Sequence, residues 1–160
     1  MAVQMALSRI SIRDMTDMQF IELTEVDGTR SFPIVIGLSE AYAINRRLSG
    51  IKIPRPQTHD LLASVIRHLG GELKQIIIHD LDGGTFYAKL VIERDGVPVE
   101  VDSRPSDAIA LGIAENVPIF VTEHVLEQAS AESSALEGGA MDEGSTDLDP
   151  DDDLETDNDW

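Results

Sequence analysis

Between Val101 and Gly112 the chain reads "VDSRPSDAIALG", which places Asp102, Ser103, Arg104, Ser106 and Asp107 where alternating valines hand over to an alanine-rich helical spacing. Unpaired backbone N–H groups at the start of a helix attract anions, and an adjacent arginine adds a donor pair suited to phosphate. A phosphate site, with Ser106 among its binding groups, is therefore chemically reasonable here. The same residues also satisfy a purely structural reading. Ser103 or Ser106 caps the helix, Pro105 occupies its first turn, Asp107 complements the helix dipole and Arg104 pairs with Asp102. Just upstream, the alternation in "VPVEVD" puts Glu100 and Asp102 on one side of a strand, where two carboxylates could share a divalent metal or simply face water.

Two His-Asp pairs offer further chemistry, His59-Asp60 and His79-Asp80. Adjacent residues on a strand point to opposite faces, so His79 and Asp80 are not partners in one site by proximity alone. Asp60 reads most simply as a first-turn acid. His68 and His124 show no ligand spacing. No cysteine is present, which removes a disulfide framework, a thiolate nucleophile and a Cys-ligated zinc. The patterns G-x-x-x-x-G-K-[ST], H-E-x-x-H and G-x-S-x-G do not occur. An acidic chain with 4% aromatic residues also lacks the basic, aromatic-interleaved patch of a tight, nonspecific nucleic-acid binder.

The elements that must position these groups follow from periodicity and turn residues. Strands are predicted over residues 3–13 and 19–26, with Asp27-Gly28 as a hairpin signal into "TRSFPIVIG". Pro33 confines that return strand to an edge or an irregular stretch. Ser39 is expected to cap a helix reaching Leu48 with Ala41, Ile44 and Leu48 on one apolar face. After the extended "GIKIPRPQ", Thr58 is expected to cap a second helix burying Leu61, Leu62, Val65, Ile66 and Leu69. Gly70-Gly71 stops it. "ELKQIIIHDL", "TFYAKLVIER" and "VPVEVD" form a meander through turns at "DGG" and Asp95-Gly96. A helix after Pro105 follows, with Asn116 as a left-handed stop, then the strand "PIFVTE" and a short helix "EHVLEQA". The pattern predicts an α+β fold: a mixed, largely antiparallel sheet packed with three to four helices.

Charge divides the chain. Residues 1–129 hold all twelve basic residues against eighteen acidic ones, a balance of −6, and the twelve acids beyond Ala129 supply the other −12 of the total −18. The predicted organisation is one domain over residues 1–129 and a disordered acidic tail over 130–160, too poor in apolar residues to offset the entropy of ordering. The tail is no calcium loop, since a pattern begun at Asp147 puts Asp152 at the glycine position and Asn158 at the final glutamate. It is expected to solvate the protein or to dock a basic partner. Arg9 and Arg13 interrupt the N-terminal apolar residues, and no apolar run reaches membrane-spanning length, so a cytoplasmic protein with no membrane partner is expected.

The phrases "PIVIGLSEAYAI", "HDLL", "HDLDGGTFYAKLVI", "VDSRPSDAIALG" and "PIFVTEHVLE", in that order over about residues 5–126, resemble the bifunctional nuclease domain family. Ser103 and Gly112 depart from the alanines expected there. The resemblance implies self-association into a homo-oligomer and nuclease activity on RNA and DNA. The polar positions it carries over are Glu40, His59, Asp60, Asp80, Asp102, Arg104, Ser106 and Asp107. On this basis a metal-dependent phosphodiesterase is expected, in which Asp102 and Asp107, helped by Asp80, hold Mg²⁺ or Mn²⁺. Arg104 and the helix start would stabilise phosphoryl charge, with His59 as a general acid or base. The competing expectation is a non-enzymatic, homo-oligomeric binding or regulatory module with an anion-binding helix N-terminus.

Overall fold

The computed structural model describes residues 1–13 and 15–139, with side chains described as far as residue 136. Three strands, β1 (Ala2–Ser11), β2 (Gln19–Glu25) and β3 (Ser31–Ile36), form an antiparallel meander, followed by the helices α1 (Leu38–Leu48) and α2 (Thr58–His68). A second meander comprises β4 (Gly71–Asp82), β5 (Thr85–Arg94) and β6 (Val97–Ser103). Helix α3 (Pro105–Gly112) continues into a single 3₁₀ turn, and β7 (Ile119–Thr122) and α4 (Glu123–Gly139) complete the described chain. The strand order is β3-β2-β1-β7-β4-β5-β6, with β7 antiparallel to β1 and parallel to β4, so one short strand welds the two meanders into a mixed seven-stranded sheet. The predicted α+β class and element order hold.

Local chemistry explains the joints. At the β5–β6 hairpin Asp95 and Gly96 both take positive φ, 52° and 74°, the mirror-image turn whose twist matches the flanking strands. Pro33 lies on edge strand β3, as its missing donor requires, and Pro98 lies on the opposite edge strand, β6.

The sheet curls without closing. Phe32 on β3 stacks on Phe86 of β5 with ring centroids 5.5 Å apart, and α4 packs against both β3 and β4. Helix α3 sits in this concavity and is apolar almost all round, with every residue buried except Asp107. A side chain on Gly112, at the end of that helix, would stand 2.9 Å from Ile76 Cδ1 and 3.0 Å from Val117 Cβ, so the residue is small because the sheet and the following loop press against it.

Three expectations need correction. First, α2 buries no residue fully: Leu61, Leu62, Val65 and Leu69 are 55%, 41%, 42% and 65% exposed, and Ile66 is half-buried against the core. Periodicity marks an apolar face but not what covers it, and Leu48 on α1 is likewise exposed. Second, the caps shift. Gly37 and Gln57, not Ser39 and Thr58, precede α1 and α2. At α3 the N-cap is Arg104, without a side-chain cap, while the Ser103 hydroxyl donates to the Arg104 carbonyl. Third, the closing helix runs ten residues past Ala129, to Gly139. The rest of the predicted acidic tail, residues 140–160, lies outside the described residues. Among the described residues no helix is long and apolar enough to cross a membrane.

Candidate active site

The start of α3 positions the first part of the site. Arg104 leaves strand β6 in extended conformation, and Asp107 stands in the first helical turn. This spacing lets Arg104 Nε donate to Asp107 Oδ2 at 2.8 Å, while its Nη2 donates to Glu40 Oε1, on α1, at 3.2 Å. The expected Arg104–Asp102 pair is replaced by these two. Arg104 keeps a 65% exposed side chain, so the guanidinium is held by two carboxylates yet reachable from solvent.

Helix α2 brings the second part. His59 Nε2 lies 3.0 Å from Asp107 Oδ1, with the imidazole mostly covered and the carboxylate one-third exposed. Burial opposes ionisation of Asp107, but the hydrogen bonds and charges of Arg104 and His59 outweigh it and hold the carboxyl below its ordinary range. An ionised carboxylate only accepts, so His59 must carry its proton on Nε2. That leaves Nδ1 as the nitrogen that gives or takes a proton.

Asp60 has a different task. Its carboxylate accepts from Arg46 Nη2 at 2.7 Å, from Arg47 Nη1 and from the Gln57 N–H at 3.0 Å. Arg47, nearly buried, also donates to the carbonyls of Ala110 and Leu111 at the end of α3. Burial opposes ionisation of Asp60 too, and the Gln57 N–H and both guanidinium groups prevail and lower its pKa. This clamp ties α1, α2 and α3 together and fixes the distance between His59 and Asp107. Arg46 and Arg47 carry no sequence signal beyond a paired base in the last turn of a helix.

The remaining expected site residues lie apart. Asp80 is exposed, at an irregularity in β4, and accepts from the Leu81 N–H at 2.9 Å. Asp102 stands opposite Lys89 in the β5–β6 register and so shares a face with Lys89 and Glu100, which pair with each other at 2.9 Å. The Asp107 oxygens already face His59 and Arg104. As arranged, Asp80, Asp102 and Asp107 do not form one donor set, and among the described residues no group of three or more His, Asp or Glu could hold a metal ion.

Two cavities meet at His59, Arg104 and Asp107. One of about 310 Å³ lies between the first turns of α1, α2 and α3 and is lined also by Ser39, Glu40 and Gln57. The other, about 720 Å³, opens between α2 and β6 over Leu62, Ile66, Leu90 and Val101, with Asp102 at its border. An imidazole, a fixed carboxylate and an exposed guanidinium thus share one water-accessible junction. This arrangement can orient a water or a leaving oxygen and neutralise an anionic reacting group.

Comparison with known proteins bears on what reacts there. Residues 21–134 match the family model described as the bifunctional nuclease domain, which covers most of the chain. Two uncharacterized proteins of Mycobacterium tuberculosis, one from each of two strains, are each 48% identical over 107 residues. That match takes in 67% of this chain and 63% of each relative, so the chain spans somewhat less than two thirds of their length.

Proposed function

We propose, starting from the premise that the chain belongs to the bifunctional nuclease domain family, that it hydrolyses phosphodiester bonds of RNA or DNA at the junction of His59, Asp107 and Arg104. The observation that carries this reading is the His59–Asp107–Arg104 contact itself, assembled from two helix starts 45 residues or more apart in sequence. In the proposed reaction Arg104 binds a non-bridging phosphoryl oxygen. His59 Nδ1 removes the proton of the attacking water or protonates the leaving oxygen, and Asp107 holds the imidazole tautomer that makes this possible. Local charge supports the reading despite the net acidity. Lys52 and Arg55, both exposed and without an ion pair among the described residues, precede His59 by seven and four positions.

The test is cleavage of fluorescent single-stranded RNA and DNA by the full chain beside His59→Gln and Asp107→Asn. Turnover lost in both variants while both melt cooperatively supports the reading, and equal turnover in all three proteins refutes it. The Mg²⁺ or Mn²⁺ cofactor expected from the sequence is kept as a separate proposal, with no step above routed through it. A metal titration of wild type and Asp102→Asn decides it: a higher half-saturating concentration in the variant supports Asp102 as a ligand, and cleavage undiminished by chelator refutes metal dependence.

A homo-oligomer and a cytoplasmic location belong to the same reading. The exposed Leu61, Leu62, Val65 and Leu69 of α2, beside Val97, Val99 and Val101 on edge strand β6, support a face that a second copy covers. The same face is also what favours the alternative of a non-enzymatic, self-associating binding module. Light scattering of wild type and Leu62→Glu tests the face, and a monomer in both cases refutes it.

A further inference from the structure

On the far side of Arg104 from His59 lies a third cavity, of about 360 Å³, between the end of β3, the β4–β5 turn and the first turn of α3. That size falls in the range of small-ligand sites. Its walls are Ile34, Ile36 and Phe86, and its polar floor is Arg104, Ser106 and Thr85. No carboxylate lines it, so Arg104 is the one ionisable group there, in a chain with a net charge of −18. The cavity thus meets Arg104 from a side that no carboxylate lines, whereas the neighbouring cavities hold Glu40, Asp102 and Asp107.

Two independent observations point to an anion. The start of α3 has no side-chain cap, which leaves the N–H groups of its first turn after Pro105 without a side-chain partner. Ser106 is 6% exposed and lines the cavity, and its hydroxyl has no hydrogen-bond partner among the described residues. Among the described residues the fully enclosed side-chain atoms without a partner are Arg46 Nε and Ser130 Oγ, so the Ser106 Oγ is open to the cavity and free to bond what enters it. Arg104 has committed Nε and Nη2 to Asp107 and Glu40, and Nη1 is left to donate.

We propose that this cavity is a nucleotide subsite. A phosphate is received by Arg104, the Ser106 hydroxyl and the first turn of α3, and the base lies against the apolar wall of Ile34, Ile36 and Phe86. Arg104 then touches both the phosphate at the reacting junction and the phosphate of the neighbouring unit, which sets the direction in which a strand runs through the protein. The identity of the ligand as a nucleic-acid unit rests on the function proposed above, whereas the anion site rests on the cavity alone.

Adenosine monophosphate, adenosine and inorganic phosphate are titrated into the full chain, with backbone amide NMR as the readout, for wild type, Ser106→Ala and Val35→Trp. Val35, on edge strand β3, lines the cavity and is 61% exposed, so a bulkier side chain crowds the rim without loading the core. Adenosine monophosphate is expected to shift amides of residues 83–86 and 105–108, and Ser106→Ala to weaken its binding about tenfold. Val35→Trp is expected to weaken it at least as much. Adenosine or inorganic phosphate binding as tightly as the nucleotide overturns the proposal, as does wild-type affinity in both variants. Cleavage of RNA or DNA by a protein that does not bind the nucleotide sinks the subsite and leaves the nuclease reading standing. Nucleotide binding without cleavage does the reverse.

Discussion

Replacing Asp107 by asparagine changes one atom and reverses one hydrogen bond. The wild-type carboxylate accepts from Arg104 Nε at 2.8 Å and from His59 Nε2 at 3.0 Å. An amide can accept at one end only. The guanidinium, always charged and unable to accept, takes the oxygen, and the NH₂ group turns to His59. Nε2 must then become the acceptor, so the proton moves to Nδ1 and the lone pair that would act as base is lost. A misplaced tautomer of this kind costs roughly two to four orders of magnitude in kcat. Stability changes far less. A one-third exposed first-turn acid contributes about 1 kcal/mol through the helix dipole and its hydrogen bonds. A chain of this size loses about 3 °C for that. The assay is single-turnover cleavage beside a melting curve, with His59→Gln and the double variant alongside. The double variant should be no slower than the worse single one, because the two side chains act as a unit. Independent, multiplying losses, or activity lost only in step with unfolding, would refute the dyad.

Other consequences follow from the same contacts. Asp60→Asn leaves Arg46 and nearly buried Arg47 without their carboxylate, and is expected to lower stability by about 3 kcal/mol, read as a drop in the urea midpoint. Because Asp60 and Asp107 have pKa values lowered by folding, their contribution is complete above the ordinary carboxylate range near pH 4 and is lost as pH falls through the lower folded values. Urea midpoints measured from about pH 6 to pH 2 should therefore fall less steeply in Asp60→Asn than in wild type. Gly112→Ala is expected to cost about 1 kcal/mol, since its methyl group meets Ile76 and Val117, and an unchanged melting temperature would show that both give way freely. Removing residues 140–160, with ten of the thirty acids, should raise affinity for single-stranded RNA severalfold at low salt and much less at high salt; equal affinity throughout would rule out competition by the tail.

The elements were legible because the turns carry their own chemistry. Asp95-Gly96 and Asn116 adopt the positive φ their types allow, and the two meanders follow from short connections. The site was half legible. Arg104, Asp107 and His59 announce themselves by type, but their pairing does not, since His59 and Asp107 are 48 positions apart and no local period relates two helix starts. The Asp60–Arg46–Arg47 clamp was hidden for the same reason, and the exposure of the α2 leucines because amphipathicity says nothing of neighbours. As arranged among the described residues, Asp80, Asp102 and Asp107 stand apart. Strand period places Asp102 beside Lys89, while helix α3 turns Asp107 toward α2.

Under the proposed reading, the same pairings let so acidic a chain receive a phosphate. Glu40 and Asp107 are spent on Arg104, Asp60 on Arg46 and Arg47, and Glu100 on Lys89. Each pairing removes a carboxylate from the field an approaching anion meets. Around Arg104 two carboxylates outnumber one guanidinium, so what an anion can still meet there is the α3 N-terminus and the free arm of Arg104, on the side where Ser106 lines the cavity and no acid does. Acidic residues in this protein therefore serve as holders of the few bases, fixing a guanidinium and an imidazole at the junction. The net charge then acts at longer range, where salt screens it, and on the proposed nuclease reading favours release of the shortened anionic product.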